Sequence, residues 1–195
     1  MKMKFIPVLV LVLLFFPASG FAAGWTGNVN GFLGAKSLDE DDWEPLDEHG
    51  EIGVRFDFAP KTDFPINFAI DWYVSGTSEA YSDPRFGGFA DVDAATSEFA
   101  IGFRKYMPIP QTTFSPYLGA GLTSIAASIE ADDGFFTYKD DDVDGGLWLE
   151  GGIVWTIRHV NLGLCLRYSD AEVTLFGEDL EVGGGHAGLI AGFHW

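Results

Sequence analysis

Apolar side chains recur at every second position through most of this chain. From Glu51 to Phe58, Ile52, Val54, Phe56 and Phe58 alternate with Glu51, Gly53, Arg55 and Asp57. A period of two puts one set on each face of a β-strand. The same pattern predicts eight strands in all: Trp25–Lys36, Glu51–Phe58, Asn67–Ser75, Glu98–Arg104, Tyr117–Ile129, Leu147–Ile157, Asn161–Ser169 and the segment 186–195. In the fifth, the alternation is clear through Leu118, Ala120 and Leu122 and blurs after Ser124.

The connections alternate in length. Long segments (37–50, 76–96, 130–146, 170–185) are interleaved with short ones (59–65, 107–114, 158–160). This is the layout of a transmembrane β-barrel, with short turns at one rim and long loops at the other. An even strand count puts both termini on the short-turn side. Trp25, Phe58, Phe68, Trp155 and Trp195 fall at the short-turn ends of their strands, as an interfacial aromatic girdle does. A water-soluble barrel with its apolar face inward would use the same alternation. It accounts neither for the rhythm of loop lengths nor for the girdle. The expected fold class is therefore all-β, an eight-stranded antiparallel up-and-down transmembrane β-barrel.

The N-terminus carries a different signal. Lys2 and Lys4 precede an apolar run, Ile6 to Phe16, interrupted by Pro7, and small residues Gly20 and Ala22 follow. The run is too short to span a bilayer as a helix and reads as a secretory signal peptide. Residues 1–22 are expected to be cleaved, with 23 as an alternative last position, leaving 23–195 as one barrel domain. No later segment has the ~18 consecutive apolar residues of a spanning helix. A mature chain in a membrane must then be a closed sheet, which satisfies every backbone N–H and C=O internally.

The net charge is −18, or −20 once Lys2 and Lys4 are removed with the signal segment. Such acidity argues against nucleic-acid binding, which needs Lys and Arg to displace counterions. The acids cluster between strands. Cys165 is the sole cysteine, which rules out an intramolecular disulfide.

The segment from His186 to Trp195 places Ala187, Leu189, Ala191, Phe193 and Trp195 on one face. A last strand ending on Phe or Trp resembles the C-terminal assembly signal of bacterial outer-membrane barrels, carried here by Leu189, Ala191, Phe193 and Trp195. Together with Pro116-Tyr117-Leu118-Gly119-Ala120-Gly121 and Gly31-Phe32-Leu33-Gly34, it makes the mature chain similar to the small eight-stranded outer-membrane proteins, OmpX-like and OmpA-transmembrane-like. The resemblance implies a Gram-negative outer membrane, long loops outside the cell and termini in the periplasm. It also implies contact with outer-membrane lipid and lipopolysaccharide, handling by the barrel assembly machinery, and a monomer. In a departure from the OmpA pattern, no peptidoglycan-binding domain is expected after the barrel, so the resemblance does not imply a cell-wall tether. Members of this group include adhesins, structural anchors, small porin-like channels and lipid-A enzymes, so the fold alone does not assign a role.

The inward face is expected to hold Glu51, Arg55, Asp57, Asp71, Glu98, Arg104, Glu150, Arg167, His186 and His194. Eight strands leave an interior just wide enough for side chains to fill. Buried charges of both signs must pair. A network plugging the barrel is the leading expectation, with Arg104 and Arg167 as its hubs. A narrow polar channel is the alternative, since Gly53, Gly102, Gly119, Gly121, Gly152, Gly163, Gly188 and Gly192 on the same face leave room. A lipid-A-modifying enzyme is the third reading. It needs a nucleophile beside a base, and neither His186 nor His194 has a serine at local spacing; Ser169 and Glu98 would have to join a histidine through the fold. No catalytic residue is assigned and the protein is expected not to be an enzyme.

No cofactor is expected. Asp140, Asp142, Asp144 and Gly145 match the opening of a calcium loop, but Gly151 stands where its closing acid belongs. Asp39 to Asp42, with Glu44 and Asp47, form a second acidic cluster, and acidic loops over lipopolysaccharide are positioned to share divalent cations with lipid phosphates. Phe86, Phe89, Phe135, Phe136 and Tyr138 are expected to be exposed loop aromatics that either pack the loops together or bind a partner. A structural or surface-interaction role is the reading these features favour.

Overall fold

A computed structural model describes residues 24–62, 65–83, 88–132 and 136–195, without side chains at 80–83 and 88–91. The expected signal segment, Phe86 and Phe135 lie outside the described residues, as does the side chain of Phe89.

The strands are β1 (Trp25–Ser37), β2 (Glu48–Pro60), β3 (Asn67–Asp83), β4 (Gly88–Tyr106), β5 (Phe114–Asp132), β6 (Thr137–Ile157), β7 (Val160–Asp170), β8 (Glu172–Leu175), β9 (Glu178–Glu181) and β10 (Gly184–His194), with a one-turn helix α1 (Glu40–Trp43) after β1. Eight of them close in the order β1-β10-β7-β6-β5-β4-β3-β2, and β8 and β9 form a separate hairpin. Every barrel neighbour is antiparallel. The seam pairs Asn28 with His194 through Ser37 with Gly185.

The two faces sort as the alternation requires. Leu33, Ile52, Ile101, Leu118, Leu149, Leu164 and Leu189 point outward and exposed, while Arg55, Asp57, Asp71, Glu98, Arg104 and Glu150 are buried inside. A body with leucine on its surface and carboxylates in its core is inverted relative to a soluble protein and suits hydrocarbon. At the short-turn rim the rings form a chain of contacts: Trp25–Phe58, Phe58–Phe68 and Phe68–Phe103, with centroids 5.7, 5.8 and 5.3 Å apart. Trp195 stacks on Phe56 at 5.6 Å and exchanges backbone hydrogen bonds with Gly27. The ring lies where a Cβ on Gly27 would stand, so the glycine is what lets it seat. Trp155 belongs to another contact, stacked on Phe114 at 6.1 Å.

Three long connections differ from the expectation. Segments 76–96 and 130–146 are mostly strand: β3 and β4 pair out to Asp83 and Gly88, and β5 and β6 to Asp132 and Thr137. The third, 170–185, folds into the β8–β9 hairpin. Segments 76–96 and 130–146 lack apolar alternation because, beyond the apolar belt, neither face meets lipid; the pairing of the hairpin itself holds them extended. The blur in β5 has a related cause. Its inward residues change from Tyr117, Gly119, Gly121 and Thr123 to Ile125, Ala127 and Ile129 where the strand leaves the polar interior for an apolar cluster at the barrel mouth.

Candidate functional site

The interior is built in layers. Nearest the short-turn rim, Asn28 donates to Asp57 at 2.8 Å and Asn161 donates to Asn28 and Asn30 at 2.9 and 3.1 Å. His194 Nδ1 lies 3.0 Å from Asn28 Oδ1 at the half-buried edge of this layer.

Three guanidiniums cross the middle. Arg55 donates through Nη2 to both oxygens of Glu150, at 2.8 and 2.9 Å, and through Nη1 to Tyr117 Oη at 3.0 Å. Arg104 reaches three carboxylates: Glu150 through Nε, Asp57 at 3.0 Å and Asp71 at 2.8 Å. Arg167 donates to Glu98 and, at 3.4 Å, to Asp71, and lies 3.9 Å from Glu150. Its guanidinium sits over Trp148 and Tyr73, 4.6 and 4.9 Å from the ring centroids. Strand alternation brings these groups inward, and the registers Arg55↔Asp71 and Glu150↔Arg167 put opposite charges side by side. Paired, hydrogen-bonded charges are the form in which ions tolerate such burial.

Above them His186 joins Glu51 to the network. Its Nδ1 is 2.9 Å from both Glu51 oxygens, and its Nε2 is 3.0 Å from Ser169 Oγ and 3.6 Å from Glu98. Ser169, His186 and Glu51 thus have hydrogen-bond distances like those of a hydrolytic triad. Ser169, however, has no exposed surface, and its hydroxyl also lies 3.2 Å from the Glu98 carboxylate. An anion beside the nucleophile is the reverse of an oxyanion hole.

Two buried basic side chains, Lys36 and His49, lie outside the sequence-based set. Lys36 donates to the Val182 carbonyl at 2.7 Å and to Thr96 at 3.3 Å. His49 lies 3.0 Å from Ser75 Oγ and 3.0 Å from the Leu46 carbonyl. Lys36 has the inward parity of Asn28 and Asn30, which was the available signal. His49 precedes the segment whose alternation is visible.

Each of the eight inner glycines faces a neighbouring side chain: Gly53 faces Tyr73; Gly102, Gly119 and Gly121 face Trp148; Gly152 faces Tyr117; Gly163 faces Ile190; Gly188 faces Phe32; and Gly192 faces Asn30. The space removed from one strand is filled by a ring or branch from another.

A second core lies at the mouth beyond Lys36. Leu38, Trp43 and Leu46 from the first long connection meet Val173, Leu175 and Val182 from the last, against Ala94, Ile125 and Ala127 of the strands. Acidic side chains tie this cap down. Asp42 accepts from Glu181 N at 2.8 Å, Asp142 from Thr174 N at 2.9 Å and Asp140 from Phe176 N at 2.6 Å. Trp43 Nε1 donates to the Glu181 carbonyl at 2.7 Å. The hydrogen bond from Thr174 holds the Asp142 carboxyl below the usual aspartate range.

Two acids of the calcium-loop pattern, Asp140 and Asp142, are thus engaged by backbone donors of the β8–β9 hairpin. Asp140, Asp142 and Asp144 lie in β6, where alternate residues stand about 7 Å apart along an extended strand instead of wrapping one ion. Among the described residues no three His, Cys, Asp or Glu side chains converge as a metal site. Asp39, in the second cluster, accepts from Asp41 N and caps α1. Cys165 is buried, its sulfur 3.9 Å from Glu150. Leu189 and Phe193 are on the exposed outer face of β10. Phe136 and Tyr138 are exposed at the tip of the β5–β6 hairpin.

No protein-family model and no characterised sequence matches the chain. Solved structures do. Neisserial surface protein A superposes with a TM-score of 0.59 at 16% identity, over 89% of this chain and 98% of that one. Ail of Yersinia pestis, in complex with the heparin analogue sucrose octasulfate, gives 0.56 at 12%, over 88% and 99%. OprG of Pseudomonas aeruginosa gives 0.56 at 13%, over 89% and 96%. At these identities the likeness is one of fold. With its polar interior and apolar exterior, the chain is a small eight-stranded β-barrel of the bacterial outer-membrane type.

Proposed function

We propose that the protein is a non-enzymatic outer-membrane barrel, sealed to solutes, whose long hairpins face the cell exterior and act as a structural or interaction surface. One observation carries the reading: the cross-section at Arg55, Arg104 and Arg167 is filled by buried, mutually bonded charges, and the mouth above it is filled by an apolar core. Five inner acids (Glu51, Asp57, Asp71, Glu98, Glu150) face three arginines and Lys36. The charge of the two rims supports the orientation. Lys61, Lys105 and Arg158 lie at the short-turn end, where no Asp or Glu side chain is exposed among the described residues. The acids gather at the other end.

Planar-bilayer recording of the refolded protein tests the seal. The expected trace is silent. Regular single-channel steps that change when Glu98 is neutralised would instead establish the narrow channel. That alternative has one specific support: Arg55 Nε, Arg167 Nε, Tyr73 Oη and Asp71 Oδ1 are buried without a protein hydrogen-bond partner, a polar set that suits water. The Ser169–His186–Glu51 arrangement belongs, on this reading, to the ionic plug. The heparin-analogue binding of Ail does not transfer, because an acidic crown repels a polysulfate.

A further inference from the structure

The β5–β6 tip and the β8–β9 turn, tied by the Phe176–Asp140 backbone bond, carry three exposed rings. Beyond the mouth, the residues of β6 that share the inward parity of Glu150 are Asp142, Asp140 and Tyr138, followed by Phe136 just before the strand. The backbone bonds from Thr174 to Asp142 and from Phe176 to Asp140 lay the β8–β9 hairpin against this face. Phe176 has φ of 52° and Gly177 of 86°, a turn that leaves the Phe176 ring outside the cap core. Phe136, Tyr138 and Phe176 are 66%, 46% and 57% exposed. Tyr138 is nine residues beyond Leu147, the last leucine of the outer belt on β6, about 30 Å along the strand and outside the reach of hydrocarbon.

The surroundings are acidic. Glu178 and Asp179 follow the turn and Asp132 stands at the hairpin tip. Among the described residues Lys139 is the one exposed base at this end, and it lies on the opposite face of β6, 3.7 Å from Glu130. A polyanion would be repelled here, and a neutral apolar partner would strip water from carboxylates without repaying them. A cationic chain with apolar side chains meets both demands: guanidiniums bond carboxylates and stack on ring faces while the apolar groups cover the patch. We propose that this carboxylate-rimmed aromatic face docks a cationic, apolar-bearing segment of a partner protein. The proposal rests on the surface-interaction reading and gives it a partner chemistry.

The test uses the barrel in phosphatidylcholine nanodiscs at physiological salt, with fluorescence anisotropy of labelled peptides of about a dozen residues and empty discs as blank. A peptide alternating Arg and Leu is expected to bind, with an Arg–Gly peptide weaker by about tenfold or more and a Glu–Leu peptide not binding. The triple variant Phe136→Ser, Tyr138→Ser, Phe176→Ser is expected to lose about tenfold or more for Arg–Leu while its thermal unfolding stays that of the parent. Equal binding of Arg–Leu and Arg–Gly, or unchanged binding by the triple variant, would reduce the crown to diffuse attraction and overturn the proposal. If the triple variant unfolds early, Phe176→Ser alone is read by the same criterion. Bilayer conductance reports on the seal and this assay on the docking face, so the two fail separately.

Discussion

Arg104 is the residue on which the interior turns. It bonds Asp57, Asp71 and Glu150 at once, from three strands other than its own, so Arg104→Leu leaves three carboxylates short of a partner. Removing one member of a buried pair typically costs about 3–5 kcal/mol. Glu98→Gln should cost less, because the amide keeps Thr123 and Ser169 as partners. Denaturant unfolding of both variants in one detergent checks the order. Equal, small losses would mean that these charges sit in water. The pairing of inner charges was legible in the sequence, since alternation alone selects Arg55, Asp71, Arg104 and Glu150 for the same side. Which carboxylate meets which guanidinium was not, because bonds such as Arg55 to Glu150 cross the barrel between strands that are not neighbours. Nor was the filling of the glycine face, where Trp148 occupies space left by residues on β4 and β5.

At the scale of elements, the eight barrel strands follow from the alternation, but the cap does not. Leu38, Trp43, Leu46, Val173, Leu175 and Val182 are single apolar residues in acidic connections, with no period to mark them. They form a core only because the two connections converge over the mouth. Asp142 is one tie holding that convergence. Its folded pKa is depressed, so its contribution is fully present above the ordinary aspartate value and is lost as pH falls through the folded value. Amide exchange at Thr174, corrected for the intrinsic rate, should therefore lose protection only below about pH 4. In Asp142→Asn, the acid-dependent part of that protection should be missing. Protection at Thr174 that is unchanged by both acid and the substitution would show that the cap holds without this tie.

For the whole molecule, the inverted surface makes the strongest demand. Ile101 stands on the outer face between Leu122 on β5 and Ile70 on β3, and Ile101→Arg puts a charge into hydrocarbon. The expected loss is about 2–4 kcal/mol near the bilayer midplane, measured by unfolding in lipid vesicles. Tolerance of arginine there would place this belt in water or shift its depth. The charge of the rims differs at the same scale, with bases beside the short turns and acids on the hairpins.

The seam between β1 and β10 has a consequence in time. Gly27 and Trp195 share backbone hydrogen bonds across an interval that contains every other strand. Loop-closure entropy makes this pairing the most expensive in the barrel. During synthesis β1 is made first and stays unpartnered on one edge until β10 has followed it. Until that seam closes the sheet has two open edges, each able to pair with another chain, so the time between the first strand and the last is when this topology is most exposed to aggregation.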